Sequence, residues 1–472
     1  MYFRSQEKKS VCADVIPYFE DGEFRLFYLK DYRDIANYGE GCPWCLLKTK
    51  DLVNYTDCGP VLLRGSEDEQ DLYVFTGCTT KFNDEYYVFY TGHNPHLRSK
   101  GLPEQKILLA KGKSLEELHK VKDFVFEAPD WMEMHDFRDP FVFFDDETGK
   151  YCMLLAGRVK SDLPSDMRGT TMIAYSDDLM HWEVSREPFY APREYFTHEC
   201  PDLFKMGEWW YLVFSEFTDK ISTTYRMSKS IRGPWITPKV NTFDGHAFYA
   251  AKSASDGKRR ILFGWNPIKN DEQDDKPWQW GGTIITHEIV QEKDGTLYVR
   301  CPDEVSAAYS KQTKITQSMT IGSVKRDTNG VLIGKNGSKS LVMFDEMPQN
   351  CKITMKFVTT DDIGDFGIIL RESNGFANRY EVRLEPAHNR LCFDNQPRKN
   401  NCEHINIDLE RYCPIEKDKE NTITLIVEGS VLEVYVNDRV AMGARMFDFA
   451  KGRWGLYAKD TTVKFYDLSL CE

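Results

Sequence analysis

Several features are absent from the 472-residue chain, and each absence narrows the answer. No run of about 18 uncharged apolar residues occurs, so no segment is long enough to cross a bilayer as a helix. No Lys/Arg block occurs either. The 61 Lys and Arg residues are outnumbered by 74 Asp and Glu, giving a net charge of −13. Such a surface has little means of neutralising phosphates or anionic lipid, which excludes nucleic acid and membrane as partners. Disorder is excluded by an apolar content of 41 % with 13 % aromatics. The thirteen cysteines are odd in number and follow no repeating spacing, which predicts reduced thiols and a cytoplasmic protein. The start, Met1 to Ser10, lacks the apolar core of a secretion signal and points the same way. Cys42-Pro-Trp-Cys45 is a CxxC, yet no second CxxC follows and no strand–helix unit surrounds it, so no metal site is expected. The Asn54 and Asn336 sequons are of a kind too common to carry weight.

What the chain does contain is a repeat. An apolar strand, a tight polar turn and an aromatic-rich strand recur five times, starting at Ile16, Thr79, Phe141, Leu203 and Tyr249. The turn chemistry makes each a β-hairpin. With Phe27, Phe89, Leu154, Phe214 and Phe263 as equivalent positions, the spacings are 62, 65, 60 and 49 residues. A second, weaker hairpin lies between successive repeats, as in LLKTKDLVNYTDCGPVLL and YRMSKSIRGPWITPKV. Two hairpins make a four-stranded blade, and five such units predict an all-β, five-bladed β-propeller over residues 1–302. A large β-sandwich with regular turns is the competing reading.

After Cys301-Pro302-Asp303-Glu304 the aromatic repeat stops. A short connecting segment, 303–315, holds the one helix-like stretch, from Asp303 to Lys311. Period-two strands such as ITMKFV from Ile353 and ITLIVEGSVLEVYVND from Ile423 then predict a β-sandwich over 316–472. No Gly/Ser linker separates the halves, so a fixed interface is expected. The sandwich is also the surface through which copies of the chain could associate.

The first strand of a propeller blade lies nearest the axis, so residues at its start face a common pocket. Counted back from the turn glycines, Asp14 precedes Gly22 by 8 residues, Glu199 precedes Gly207 by 8, and Asp139 precedes Gly149 by 10 across a longer turn. Three blades thereby present a carboxylate at an equivalent place, while neutral hydrogen-bonding residues stand near Thr76 and Tyr249. Like charges brought together force at least one pKa upward, which suits glycoside hydrolysis by one ionised and one protonated carboxyl. A calcium or magnesium site, or simple strand-end caps, are the other uses of such acids.

At these residues the chain resembles glycoside hydrolase family 32, the β-fructosidases. Phe137-Arg138-Asp139-Pro140 is similar to that family's RDP box and Glu199-Cys200-Pro201-Asp202 to its ECPD box. Phe75-Thr76-Gly77, Phe248-Tyr249-Ala250, Phe263-Gly264-Trp265 and Trp280-Gly281-Gly282 are weaker matches, and Leu432 to Asp438 is similar to its sandwich motif. The resemblance implies a retaining mechanism without cofactor or metal: Asp14 as nucleophile, Glu199 as acid then base, and Asp139 holding ring hydroxyls. It implies Arg138, Trp44, Phe75, Asp202, Tyr249 and Trp280 as contacts to a small carbohydrate. Terminal β-fructofuranosyl linkages of sucrose or short fructo-oligosaccharides are the implied target. The first box departs from the family: Val11-Cys12-Ala13-Asp14-Val15-Ile16-Pro17 keeps only the aspartate, Leu29 replaces a glutamine and Ala247 an aspartate. Two other readings stay open at this level, an inverting arabinofuranosidase/xylosidase-like propeller and a non-catalytic carbohydrate-binding relative.

Overall fold

The computed structural model describes residues 1–7, 10–334, 337–361, 363–396 and 408–472, so the Asn336 sequon and Cys402 lie outside the described residues. Within these residues the chain is all-β apart from short helical turns. The five repeats form five antiparallel units. The first runs Ser10–Glu20, Glu23–Tyr32, Trp44–Thr49 and Thr56–Leu62, each strand pairing with the next. The second and third units, opened by Tyr73–Phe82 and Met132–Asp145, have the same four-stranded order. The fifth, opened by Tyr249–Ser255, is bonded to the first through Cys12 and Gly282, which joins the end of the series to its beginning.

The fourth unit departs from expectation. Its strands are Glu199–Met206, Trp209–Glu216 and Ser222–Ser228, and the fourth is reduced to isolated bridges, Met227 to Ile236 and Thr224 to Thr242. Pro234 and Pro238 fall in that segment and lack the N–H a ladder needs.

The five opening strands are neighbours in chain order, and Tyr249–Ser255 neighbours Ser10–Glu20 in turn, so the contacts run in a cycle. The driving force is the burial of the aromatic second strands. Phe27, Phe89, Leu154, Phe214 and Phe263, the equivalent positions of the repeat, are all without solvent exposure.

Two seven-stranded antiparallel sheets make up the remainder, one beginning with Gln317–Ile321 and the other with Val324–Asp327. Alternate residues such as Ile353, Met355 and Phe357 point into the core between them, where Trp454 packs against Phe344 with ring centroids 4.5 Å apart. The expected helix at the join spans Asp303–Ala308. Buried polar contacts tie the two halves together: Arg445 Nη2 donates to the Asn266 carbonyl at 2.7 Å, and His287 Nδ1 lies 2.9 Å from the Tyr435 hydroxyl.

Candidate active site

Each opening strand carries a β-bulge near its start. The register slips at Ala13/Val15, Phe75/Gly77, Glu199/Asp202 and Tyr249/Lys252, and opposite Leu154/Ala156 for Arg138–Phe141. Four bulged residues adopt left-handed backbone although none is glycine: Asp14 (φ 25°), Asp139 (φ 59°), Cys200 (φ 51°) and Ala250 (φ 51°). Such conformations cost of order 1–3 kcal/mol each and persist where the surroundings over-determine them. Pro140 and Pro201 follow two of them, leaving no N–H to restore the ladder. The bulge turns the side chains on either side of it inward.

This register corrects one expectation. The positional equivalents of Asp14 are Thr76, Asp139, Cys200 and Ala250; Glu199 stands one residue earlier, level with Ala13, Phe75, Arg138 and Tyr249. Counting from the turn glycine hides the difference because Gly22 is the second residue of its two-residue turn and Gly207 the first, while the two bulges each absorb one extra residue.

Asp14, Asp139 and Glu199 nonetheless line one cavity of about 520 Å³, together with Phe75, Arg138, Tyr249 and Trp280. Asp14 Oδ2 accepts from Thr76 Oγ1 at 2.6 Å, and Oδ1 accepts from Trp265 Nε1 at 2.9 Å. The Cys200 thiol lies 3.8 Å from the same Oδ2, and its backbone N–H donates to Asp139 Oδ2 at 2.9 Å, so one residue links two acids. Burial holds the Cys200 thiol well above its ordinary pKa, keeping it a donor and not a thiolate.

Burial pushes the Asp14 carboxyl above the usual carboxylate range, opposed by the Thr76 and Trp265 donors and reinforced by the Glu199 charge. Asp139 is pushed further, to about 7, chiefly by burial; Arg138 pulls it down, while Glu199 and Asp14 push it up. Glu199 is held from two sides: Arg138 Nη2 donates to Oε1 at 3.0 Å and Tyr249 OH to Oε2 at 2.6 Å. Its side chain is 22 % exposed against 5 % for Asp139, so Glu199 is more open to water than Asp139.

Arg138 is itself locked. It donates to Thr197 Oγ1 at 3.0 Å, Asp136 Oδ1 at 3.2 Å and Gln105 Oε1 at 3.4 Å. Phe75 is backed by a stacked His93 ring, 4.5 Å away and 8° from parallel.

Two expected contacts lie elsewhere. Trp44 is fully buried, packed between Phe27 and Tyr90, and is core. Asp202 is likewise buried; it accepts from both the backbone N–H (2.8 Å) and hydroxyl (2.6 Å) of Ser253, stitching the fourth unit to the fifth. Leu29 and Ala247 are also buried in packing and do not line the cavity. Conversely, Trp265, Cys200 and Gln105 belong to the site beyond the residues the sequence predicts, bonding Asp14, Asp139 and Arg138 in turn. The first two sit inside recognisable boxes, but Gln105 lies in no motif and reaches Arg138 only through the arrangement of neighbouring units.

Two ionisable groups whose surroundings differ, facing one cavity with aromatic walls, form an arrangement able to protonate one side of a bond and attack the other. Comparison with known proteins agrees with that chemistry. The profile described as "Glycosyl hydrolases family 32 N-terminal domain" matches residues 15–303, and that of "Glycosyl hydrolases family 32 C terminal" matches 304–472. The chain is 23 % identical over 465 residues to a sucrose-6-phosphate hydrolase of Zymomonas mobilis, covering 92 % of this chain and 85 % of the relative. It is 22 % identical to a levanbiose-producing levanase of Bacillus subtilis, covering 89 % and 80 %. The crystal structure of fructan 1-exohydrolase IIa from Cichorium intybus superposes with a TM-score of 0.74 at 18 % identity, covering 100 % of this chain and 96 % of that one.

Proposed function

The chain belongs to glycosyl hydrolases family 32, and from that premise we propose that it hydrolyses terminal β-fructofuranosyl linkages of sucrose or short fructo-oligosaccharides, with retention of configuration. We read the cycle of opening strands as the hub of a five-bladed propeller over 1–302, joined through 303–315 to the sandwich 316–472.

The observation that carries the reading is the shared cavity of Asp14 and Glu199 with their different partners. Asp14 is the nucleophile. Its oxygens are fixed by Thr76 and Trp265, donors that stabilise the ionised form in a buried place. Glu199 donates a proton to the glycosidic oxygen as the bond breaks, while Asp14 forms an ester to the anomeric carbon. Glu199 then takes a proton from water, and the hydroxide attacks the anomeric carbon, releasing fructose and the Asp14 carboxylate. Its exposure suits it to exchange protons between the two halves. Asp139, beside Arg138, grips ring hydroxyls, and Phe75, Tyr249 and Trp280 wall the sugar from water.

The rim of the cavity favours an unphosphorylated sugar. The buried Arg158 is paired with Asp136 at 3.0 Å, so a phosphate would have to displace a carboxylate to be bound there. Twelve described cysteines are free thiols, which supports a cytoplasmic location.

The test is incubation with sucrose, sucrose phosphorylated on its glucose, inulin and levan, following released fructose. Release from sucrose in excess of its phosphate ester is expected. Inertness towards every β-fructoside, or full activity in Asp14→Asn, would overturn the reading.

A further inference from the structure

Beyond Glu199 the catalytic cavity opens into a second one of about 560 Å³, which shares Glu199, Tyr249, Phe217 and Trp280 with the first. Its character is different. The first cavity is edged by charged groups, among them Arg98, Glu104, Asp136 and Arg158, whereas the second, with Lys220 and His246 at its edge, is walled mainly by Trp278, Trp280, Ile221 and Phe217, with Leu409 contributed by the sandwich.

These apolar groups are also unusually open to solvent. Trp278 is 37 % exposed, Trp280 38 %, Phe217 44 % and Ile221 53 %. Four of the fourteen exposed large apolar side chains among the described residues therefore gather at one opening, and an apolar gathering of this kind marks a binding surface. Scattered singly they would need no explanation.

The platform is built, not incidental. Trp278 and Trp280 are alternate residues of the strand Trp278–Gln291 and so face the same side. Lys269 Nζ sits 4.5 Å over the Trp278 ring, and Arg33 Nη2 donates to the Trp280 carbonyl. Aromatic contacts run inward without a break: Trp280 to Trp265 with centroids 6.1 Å apart, and Trp265 to Tyr249 at 5.4 Å. Trp265 and Tyr249 bond Asp14 and Glu199, so the apolar path ends at the atoms that would cleave the bond.

Resting on the fructosidase reading above, we propose that this second cavity is a leaving-group subsite for an aromatic or otherwise apolar aglycone, so that β-fructofuranosides of aromatic alcohols are preferred substrates. The geometry selects the leaving group because the cavity lies on the side of Glu199, the proton donor to the departing oxygen. An aromatic ring there gains burial against Trp278 and Ile221, which a small polar aglycone cannot.

The experiment compares methyl and benzyl β-D-fructofuranoside, whose alcohols have similar acidity, so that a difference reads binding and not bond strength. Sucrose is the control. At least a tenfold higher kcat/KM for the benzyl compound is expected, carried mainly by KM. In Trp278→Ala and, separately, Ile221→Asn, the benzyl-to-methyl ratio is expected to fall to within about twofold of unity. Turnover of both compounds at equal kcat/KM in the unaltered protein, or a benzyl preference that survives both substitutions, overturns the subsite while leaving the fructosidase reading standing. Inertness towards both compounds and sucrose overturns the two together.

Discussion

The Thr76 hydroxyl donates to Asp14 Oδ2 over 2.6 Å, from the bulge of one opening strand to the bulge of its neighbour. The bond favours the ionised carboxylate in a place where burial opposes it. Thr76→Val removes the donor, so the Asp14 pKa rises further. The acid limb of the kcat/KM profile then moves to higher pH. Hydrogen bonds to charged groups are worth roughly 1.5–3 kcal/mol, so a loss of about ten- to a hundredfold is expected on that limb. Recovery towards the plateau as pH rises separates this from a folding defect. An unmoved acid limb would deny Thr76 the role.

Glu199 as proton donor predicts a dependence on the leaving group. Glu199→Gln should lose roughly 10²–10⁴-fold in kcat on sucrose. With 4-nitrophenyl β-fructofuranoside, whose phenolate departs without a proton, the loss in the first step should be much smaller. Equal losses on both substrates, measured by pre-steady-state release, would assign Glu199 another task.

Asp139 carries a stability cost that changes with pH. Its carboxyl titrates at about 7 in the folded chain against 3.8 ordinarily, so the folded state holds the proton more tightly. Stability from this group is complete below the ordinary value, falls as pH rises towards 7, and is flat above. Three pH units correspond to about 4 kcal/mol as an upper bound. Asp139→Asn should therefore show a higher denaturant midpoint than the unaltered protein at pH 8, with the two converging near pH 4, while losing activity. Identical midpoints at pH 8 would contradict the buried charge.

Asp202 is a structural residue on this account. Its removal leaves the Ser253 N–H without an acceptor in a buried place, worth about 1–3 kcal/mol. Asp202→Ala should lower the melting temperature while KM for sucrose stays within about twofold. A large rise in KM with unchanged melting would return Asp202 to the sugar.

How far the sequence revealed the site can be followed through single residues. The hairpin repeat was legible because turn glycines and aromatic second strands are local signals, and Phe27, Phe89, Leu154, Phe214 and Phe263 do occupy equivalent buried places. The convergence of Asp14 and Asp139 followed from the same repeat. Glu199 stands one residue off the place of Asp14, which Cys200 occupies, because glycine is the second residue of the turn Asp21-Gly22 but the first of Gly207-Glu208, so a count from glycine does not align the two strands. Trp44 and Asp202 had the right chemistry for sugar contacts but lie on the sides of their strands that pack against neighbouring units, and side-chain identity alone does not tell those sides apart. Gln105 reaches Arg138, and Trp265 reaches Asp14, only across separate units, a relationship set by the cycle of strands and invisible in any one segment. The fourth unit lost its last strand to Pro234 and Pro238, a local cue that the repeat pattern overrode.

The central claim is that Asp14 attacks the anomeric carbon and Glu199 serves both halves of a double displacement. Running the reaction on sucrose in aqueous methanol and recording the ¹³C spectrum of the glycoside formed reads this directly, because a methyl fructofuranoside, unlike free fructose, does not interconvert between anomers. The account predicts methyl β-D-fructofuranoside at early times; the α anomer as the first product would contradict it.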